Sequence, residues 1–116
     1  MCITIYYNPA CGTARSVLEM IRHAGIEPKI ITYLKTPPTL EELEALVQQG
    51  PITARDLLRT KEKLYTELGL DKPNLSETTL LQAIVDNPIL LNRPVVVSPK
   101  GVKVCRPAET VLSLFP

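Results

Sequence analysis

Hydrophobic and polar positions divide the chain into stretches of distinct period. Residues 3–7, Ile-Thr-Ile-Tyr-Tyr, are β-branched and aromatic and run into Asn8-Pro9, which predicts a strand ending in a turn. From Gly12 to Ala24 the apolar residues Val17, Leu18, Ile21 and Ala24 recur at helical spacing, and Gly25 stops the helix. Residues 29–34, Lys-Ile-Ile-Thr-Tyr-Leu, read as a second strand closed by Pro37-Pro38. Two strands separated by a helix predict a βαβ unit, and with it a parallel pair.

The middle of the chain is helical and polar. Thr39-Leu-Glu-Glu42 is a capping box that opens a helix through Gln49, and Gly50 ends it. Shorter helices are predicted over residues 53–59, 61–68 and 76–86, punctuated by Gly69 and Pro73. The last third changes period. Pro94-Val-Val-Val-Ser98, the turn Pro99-Lys-Gly101 and Val102-Lys-Val-Cys105 predict a β-hairpin. Pro107 then starts a short amphipathic helix carrying Val111, Leu112 and Leu114. A βαβ half and a ββα half around one mixed four-stranded sheet form the thioredoxin-like α/β arrangement. Here a helical insertion, residues 39–87, separates the halves. The expectation is one domain spanning residues 1–116, without repeats or linkers.

Composition narrows the function classes. The 116 residues include 13 Lys+Arg against 12 Asp+Glu, a net charge of +1, which argues against a nucleic-acid surface. Tyr6, Tyr7, Tyr33 and Tyr65 form no stacking platform either. No apolar run approaches the roughly 18–20 residues of a membrane span, and the first residues lack the pattern of a signal peptide. The expectation is a cytoplasmic protein with no membrane and no nucleic-acid partner. Three cysteines, Cys2, Cys11 and Cys105, are too few and too odd in number for a disulfide-stapled fold. The single histidine, His23, cannot complete a usual zinc set and reads as a solvated helix residue.

Cys11 stands where the first strand turns into the first helix, in Asn8-Pro-Ala-Cys-Gly-Thr-Ala-Arg15. A thiol there faces the unpaired amides and positive dipole end of the helix, both of which favour thiolate. The same amides attract an oxyanion. Gly12 permits close backbone approach and Thr13 offers a hydroxyl. Two familiar thiol motifs fail on counting: C-x-x-C would need Cys where Ala14 stands, and C-x5-R would need Arg where Val17 stands. What remains is a monothiol that must borrow its resolving thiol. Cys105 reads as packing, and Cys2 has no assigned role.

Three of the six arginines are flanked by apolar residues or proline: Arg59 in Leu57-Leu-Arg59, Arg93 before Pro94, and Arg106 before Pro107. Converging, they would hold a tetrahedral dianion through forked, charge-assisted bonds. Solvated or ion-paired surface arginines are the plainer alternative. Arg15 could serve the anion or be solvated; Arg22 and Arg55 read as ordinary surface charges.

Taken together, the sequence resembles the glutaredoxin-coupled arsenate reductases of the ArsC type. The matching motifs are Ile5-Tyr-Tyr-Asn-Pro-Ala-Cys-Gly-Thr-Ala-Arg15, Leu57-Leu-Arg59, Pro88-Ile-Leu-Leu-Asn-Arg-Pro-Val-Val-Val97 and Cys105-Arg-Pro107, in family order. The resemblance implies a thioredoxin-like fold, a catalytic thiolate at Cys11, and an oxyanion held by Arg59, Arg93 and Arg106 with Gly12 and Thr13. Asn8, Arg15 and Pro94 are supporting residues, and the Arg93-Pro94 bond is expected to be cis. Arsenate is the implied substrate, with glutathione as co-substrate, glutaredoxin as partner, and no metal or tightly bound cofactor. Family members often carry His before the Asn-Pro; here the residue is Tyr7, so the helix terminus and the arginines must favour thiolate unaided. Two rival readings are a redox-responsive RNA-polymerase-binding regulator of the Spx type, whose usual C-x-x-C is broken by Ala14, and a family reductase acting on another thiol substrate.

Overall fold

In the computed structural model, which describes residues 2–116, the sheet order follows the expected topology. Strand β1 (Thr4–Tyr6) lies between β2 (Lys29–Ile31) and β3 (Val95–Ser98), and β4 (Gly101–Val104) pairs with the far side of β3. β1 and β2 are parallel, as their connection by helix α1 (Gly12–His23) requires; β1/β3 and β3/β4 are antiparallel. This is the thioredoxin-like sheet, mixed and four-stranded.

Alternation along the strands feeds two cores on opposite faces. Ile5 and Val96 face α1, where they pack with Val17, Ile21, Val111 and Leu114. Tyr6 and Val95 face the other way, into a larger cluster with Tyr33 and the leucines of the insertion. The insertion comprises α2 (Leu40–Gln49), α3 (Ala54–Leu57), α4 (Lys63–Glu67) and α5 (Glu77–Asp86). The expected capping box closes on α2: the Glu42 amide donates to Thr39 Oγ1 at 3.1 Å, and the Thr39 amide donates to the Glu42 carboxylate at 3.2 Å. A second box, Thr53 with Asp56, opens α3 and was not anticipated from the sequence.

Several boundaries move for local reasons. β2 ends at Ile31, three residues early, because Thr32 starts a turn in which its carbonyl accepts from the Lys35 and Thr36 amides. α3 stops at Leu57 rather than 59 because Leu58 turns extended and forms a lone antiparallel bridge with Leu91. α4 is likewise shorter than expected, and an unforeseen 3-10 turn, Pro88–Leu90, precedes that bridge. The terminal helix, Ala108–Leu114, is 3-10 rather than α. The Arg93–Pro94 bond is cis, as are Gly50–Pro51 and Arg106–Pro107.

Register places the site. Tyr6 at the end of β1 pairs with Val95 at the start of β3, so the Cys11 turn and the Arg93-Pro94 segment emerge side by side. The Leu58–Leu91 bridge brings in the insertion: the Arg59 amide donates to the Leu90 carbonyl and the Asn92 amide to the Leu57 carbonyl, each at 2.7 Å.

Candidate active site

The turn before α1 is built by Asn8. Its side-chain oxygen accepts from the Ala10 amide at 2.9 Å, and its carbonyl accepts from the Cys11 amide at 3.0 Å. This local closure, of the kind short polar side chains favour, delivers Cys11 to the N-cap position of α1. Cys11 is only 7% exposed. Burial, the largest single influence, pushes its thiol pKa up; the Ala14 amide, the hydrogen bond and charge of Arg93, and the Thr13 amide together bring it below the ordinary thiol value. Helix terminus and arginine therefore act in the direction expected of them, with Tyr7 in place of histidine.

Two arginines meet the sulfur from the hairpin side. Arg106 Nη1 lies 3.8 Å from Cys11 Sγ and also donates to the Arg93 carbonyl at 3.2 Å, which ties the two arginine-bearing segments together. Arg93 is half-buried, and although burial disfavours its charge, Cys11 and Tyr33 raise its pKa. The Arg93 Nε and the Tyr33 hydroxyl are both buried without a hydrogen-bond partner. Both residues interact electrostatically with Cys11 and with each other.

Arg59 stands apart from the sulfur. It lines a recess of ≈ 150 Å³ with Thr60, Lys61, Asn92 and Arg106, so Arg106 is common to the recess and the thiol. Arg59 is paired with Glu62 at 2.8 Å, a partner that sequence reading missed although the two are three positions apart. Lys61 was missed as well: inside an expected helix, it instead lies on the loop before α4. Pro94 is buried, and its carbonyl accepts from the Cys105 amide at 2.9 Å. Arg15 donates to the Pro9 carbonyl at 2.8 Å and lies on a groove beside Gly12 and Thr13, not in the arginine recess.

The arrangement is a nucleophilic sulfur held among helix amides and guanidiniums, beside a cationic recess sized for a small oxyanion. The profile of the ArsC family matches residues 6–114. The chain belongs to the ArsC family. An arsenate reductase of Rhizobium meliloti (strain 1021) is 51% identical over 116 residues, covering 100% of this chain and 83% of its own. An arsenate reductase of Escherichia coli (strain K12) is 51% identical over 114 residues, covering 98% of this chain and 81% of its own. Among solved structures, an arsenate reductase from Vibrio cholerae superposes with a TM-score of 0.93 at 40% identity, covering 99% of this chain and 98% of its own. Among the described residues of this ArsC chain, no group of three or more His, Cys, Asp or Glu is placed to hold a metal ion, and no helix is long and apolar enough to cross a membrane.

Proposed function

We propose that this ArsC protein reduces arsenate to arsenite in the cytoplasm, with glutathione and glutaredoxin as the source of electrons. The observation that carries the reading is the convergence on one sulfur of the α1 amides, Arg93 and Arg106, with the Arg59 recess adjoining. Arsenate, a tetrahedral oxyanion, docks in the recess against Arg59 and Arg106, with Gly12 and Thr13 presenting the helix terminus. The Cys11 thiolate attacks arsenic; an As–S bond forms and one arsenate oxygen leaves as water after protonation. Guanidiniums and helix amides neutralise charge on the remaining oxygens.

Reduction needs a second thiol, which Ala14 cannot supply. Glutathione attacks the Cys11 sulfur. The new S–S bond forms as the As–S pair departs with arsenic, so arsenic gains two electrons and the two sulfurs lose one each. Arsenite leaves, and glutaredoxin removes glutathione from Cys11 by thiol–disulfide exchange, which restores the thiolate. Arsenate-dependent NADPH consumption with glutathione, glutaredoxin and glutathione reductase tests the reading. The expected result is turnover lost in Cys11→Ser and kept in Cys2→Ser; turnover surviving in Cys11→Ser overturns it. Inorganic phosphate is expected to compete with arsenate.

A further inference from the structure

Separate from the arginine recess, and sharing no lining residue with it, a groove of ≈ 800 Å³ runs between α1 and the terminal 3-10 helix. It begins at Gly12, Thr13 and Pro107, the chain neighbours of Cys11 and Arg106, whose side chains meet at 3.8 Å. One end of the groove therefore adjoins the reactive sulfur. Its α1 side is the polar face of that helix: Gly12, Arg15, Ser16, Glu19 and Arg22 recur at helical spacing, with the buried Leu18 at their edge and Ala14, Val17 and Ile21 turned to the core. Tyr7, at the position where the family resemblance leads one to expect histidine, forms part of this wall.

The charges in the groove are mixed, and most are unspent. Among the described residues, Arg15, Glu19 and Glu109 take part in no ion pair, while Arg22 is held by Glu27 at 3.0 Å. Arg15 is fixed by its bond to the Pro9 carbonyl, and its guanidinium lies over Gly12, the residue that follows Cys11. Glu19 and Glu109 face the groove from its two walls, one on α1 and one on the 3-10 helix. The lining follows α1 from Gly12 to Arg22, ten positions and about 15 Å of helix axis. Three extended residues span about 10 Å and so fit within that length.

We propose that this groove holds the thiol co-substrate, a tripeptide with a carboxylate at each end and an ammonium beside one of them; this rests on the glutathione reading above. The glycine carboxylate pairs with Arg15, and the ammonium of the γ-glutamyl end lies between Glu19 and Glu109. The thiol, carried by the middle residue, reaches over Gly12 to the Cys11 sulfur. Arsenate in the recess and glutathione in the groove then meet at one sulfur without sharing a cation, since the two linings have no residue in common.

The probe is S-methylglutathione, which has the charges and shape of glutathione but no free thiol. Titrated into the intact protein and followed by ¹H–¹⁵N NMR, it is expected to give saturable shifts at Gly12, Arg15, Ser16 and Glu109. Arg15→Gln is expected to weaken binding about three- to fivefold, the scale of an exposed ion pair. The glycine ethyl ester of the probe should bind the unaltered protein as weakly as the parent probe binds Arg15→Gln. Shifts centred elsewhere, no saturable shift, or an ester that binds as well as the acid would overturn the proposal. Saturable binding here without arsenate-dependent glutathione oxidation refutes the arsenate reading and leaves the groove assignment standing. Turnover with binding elsewhere does the reverse.

Discussion

The Cys11 turn and the end of β4 each bury a cysteine, and they treat it in opposite ways. Cys11 is 7% exposed and Cys105 is 0% exposed, so accessibility hardly separates them. Burial pushes both thiols up. At Cys105 little opposes it: the sulfur packs among the residues of the α1-side core, only the Lys103 charge pulls the other way, and the pKa reaches about 12. At Cys11 two helix amides and Arg93 reverse the sign. The chain spends its neighbouring charge selectively, since Arg106 directly follows Cys105 yet sends its guanidinium to Cys11. Sequence adjacency to a cation is thus a poor guide to thiolate character; what matters is which groups aim at the sulfur.

The largest test of this contrast is deletion of each sulfur. Cys11→Ser is expected to lower arsenate turnover at least about a thousandfold, as loss of a nucleophile does. Cys105→Ala should leave turnover within about twofold while costing about 1–2 kcal/mol of stability in urea unfolding, the consequence of a small core cavity. If the Cys105 variant instead lost turnover in proportion to Cys11, the two cysteines would not have separate roles.

Next in size is the cation. Arg93→Gln is expected to cut kcat/KM for arsenate about a hundredfold, the scale of one lost oxyanion-stabilising donor. The same change acts on the proton. Because Cys11 titrates below the ordinary thiol range, its alkylation by iodoacetamide should rise with pH and level off earlier than that of a free thiol. Arg93→Gln removes stabilisation of the thiolate, so the midpoint must move to higher pH; an unmoved midpoint would leave the helix amides as the sole cause. Cys105 should resist the reagent throughout that range.

The smallest expected effect concerns the carboxylate paired with Arg59. Glu62 holds Arg59 at 2.8 Å, and the proposed docking of a dianion at Arg59 would have to compete with that pair. Glu62→Gln is expected to lower the KM for arsenate by at most about fivefold and to change stability by under about 1 kcal/mol, since both side chains are partly exposed. A higher KM would show that the pair orients Arg59 rather than neutralising it.

Much of this contrast was legible in the residues. β-branched runs, Gly25 and the Thr39 capping box located the elements, because each is a local preference that the tertiary structure left in place. Cys11 could be placed because a turn between strand and helix has only one outcome for the residue at its end. What escaped was non-local. The Leu58–Leu91 bridge depends on two segments more than 30 positions apart, and an apolar Leu-Leu pair inside a helical pattern does not announce an extended residue. Tyr33 was read as a strand residue, yet β2 ends before it, and the turn takes its ring into the insertion-side core with its hydroxyl near Arg93. The groove was invisible for a related reason. The solvent face of α1 has ordinary polar residues, and only the packing of the 3-10 helix beside it turns a surface into a cleft.

The bridge between Leu58 and Leu91 has a mechanical consequence. It fastens the backbone at Arg59 to the short segment that also carries Arg93, so the two stay neighbours even though 33 residues separate them in sequence. An opening that parts Arg59 from Arg93 must first break the paired 2.7 Å bonds at the Arg59 and Asn92 amides. The deuterium-exchange rates of those two amides are therefore a direct gauge of how often the arginine recess comes apart.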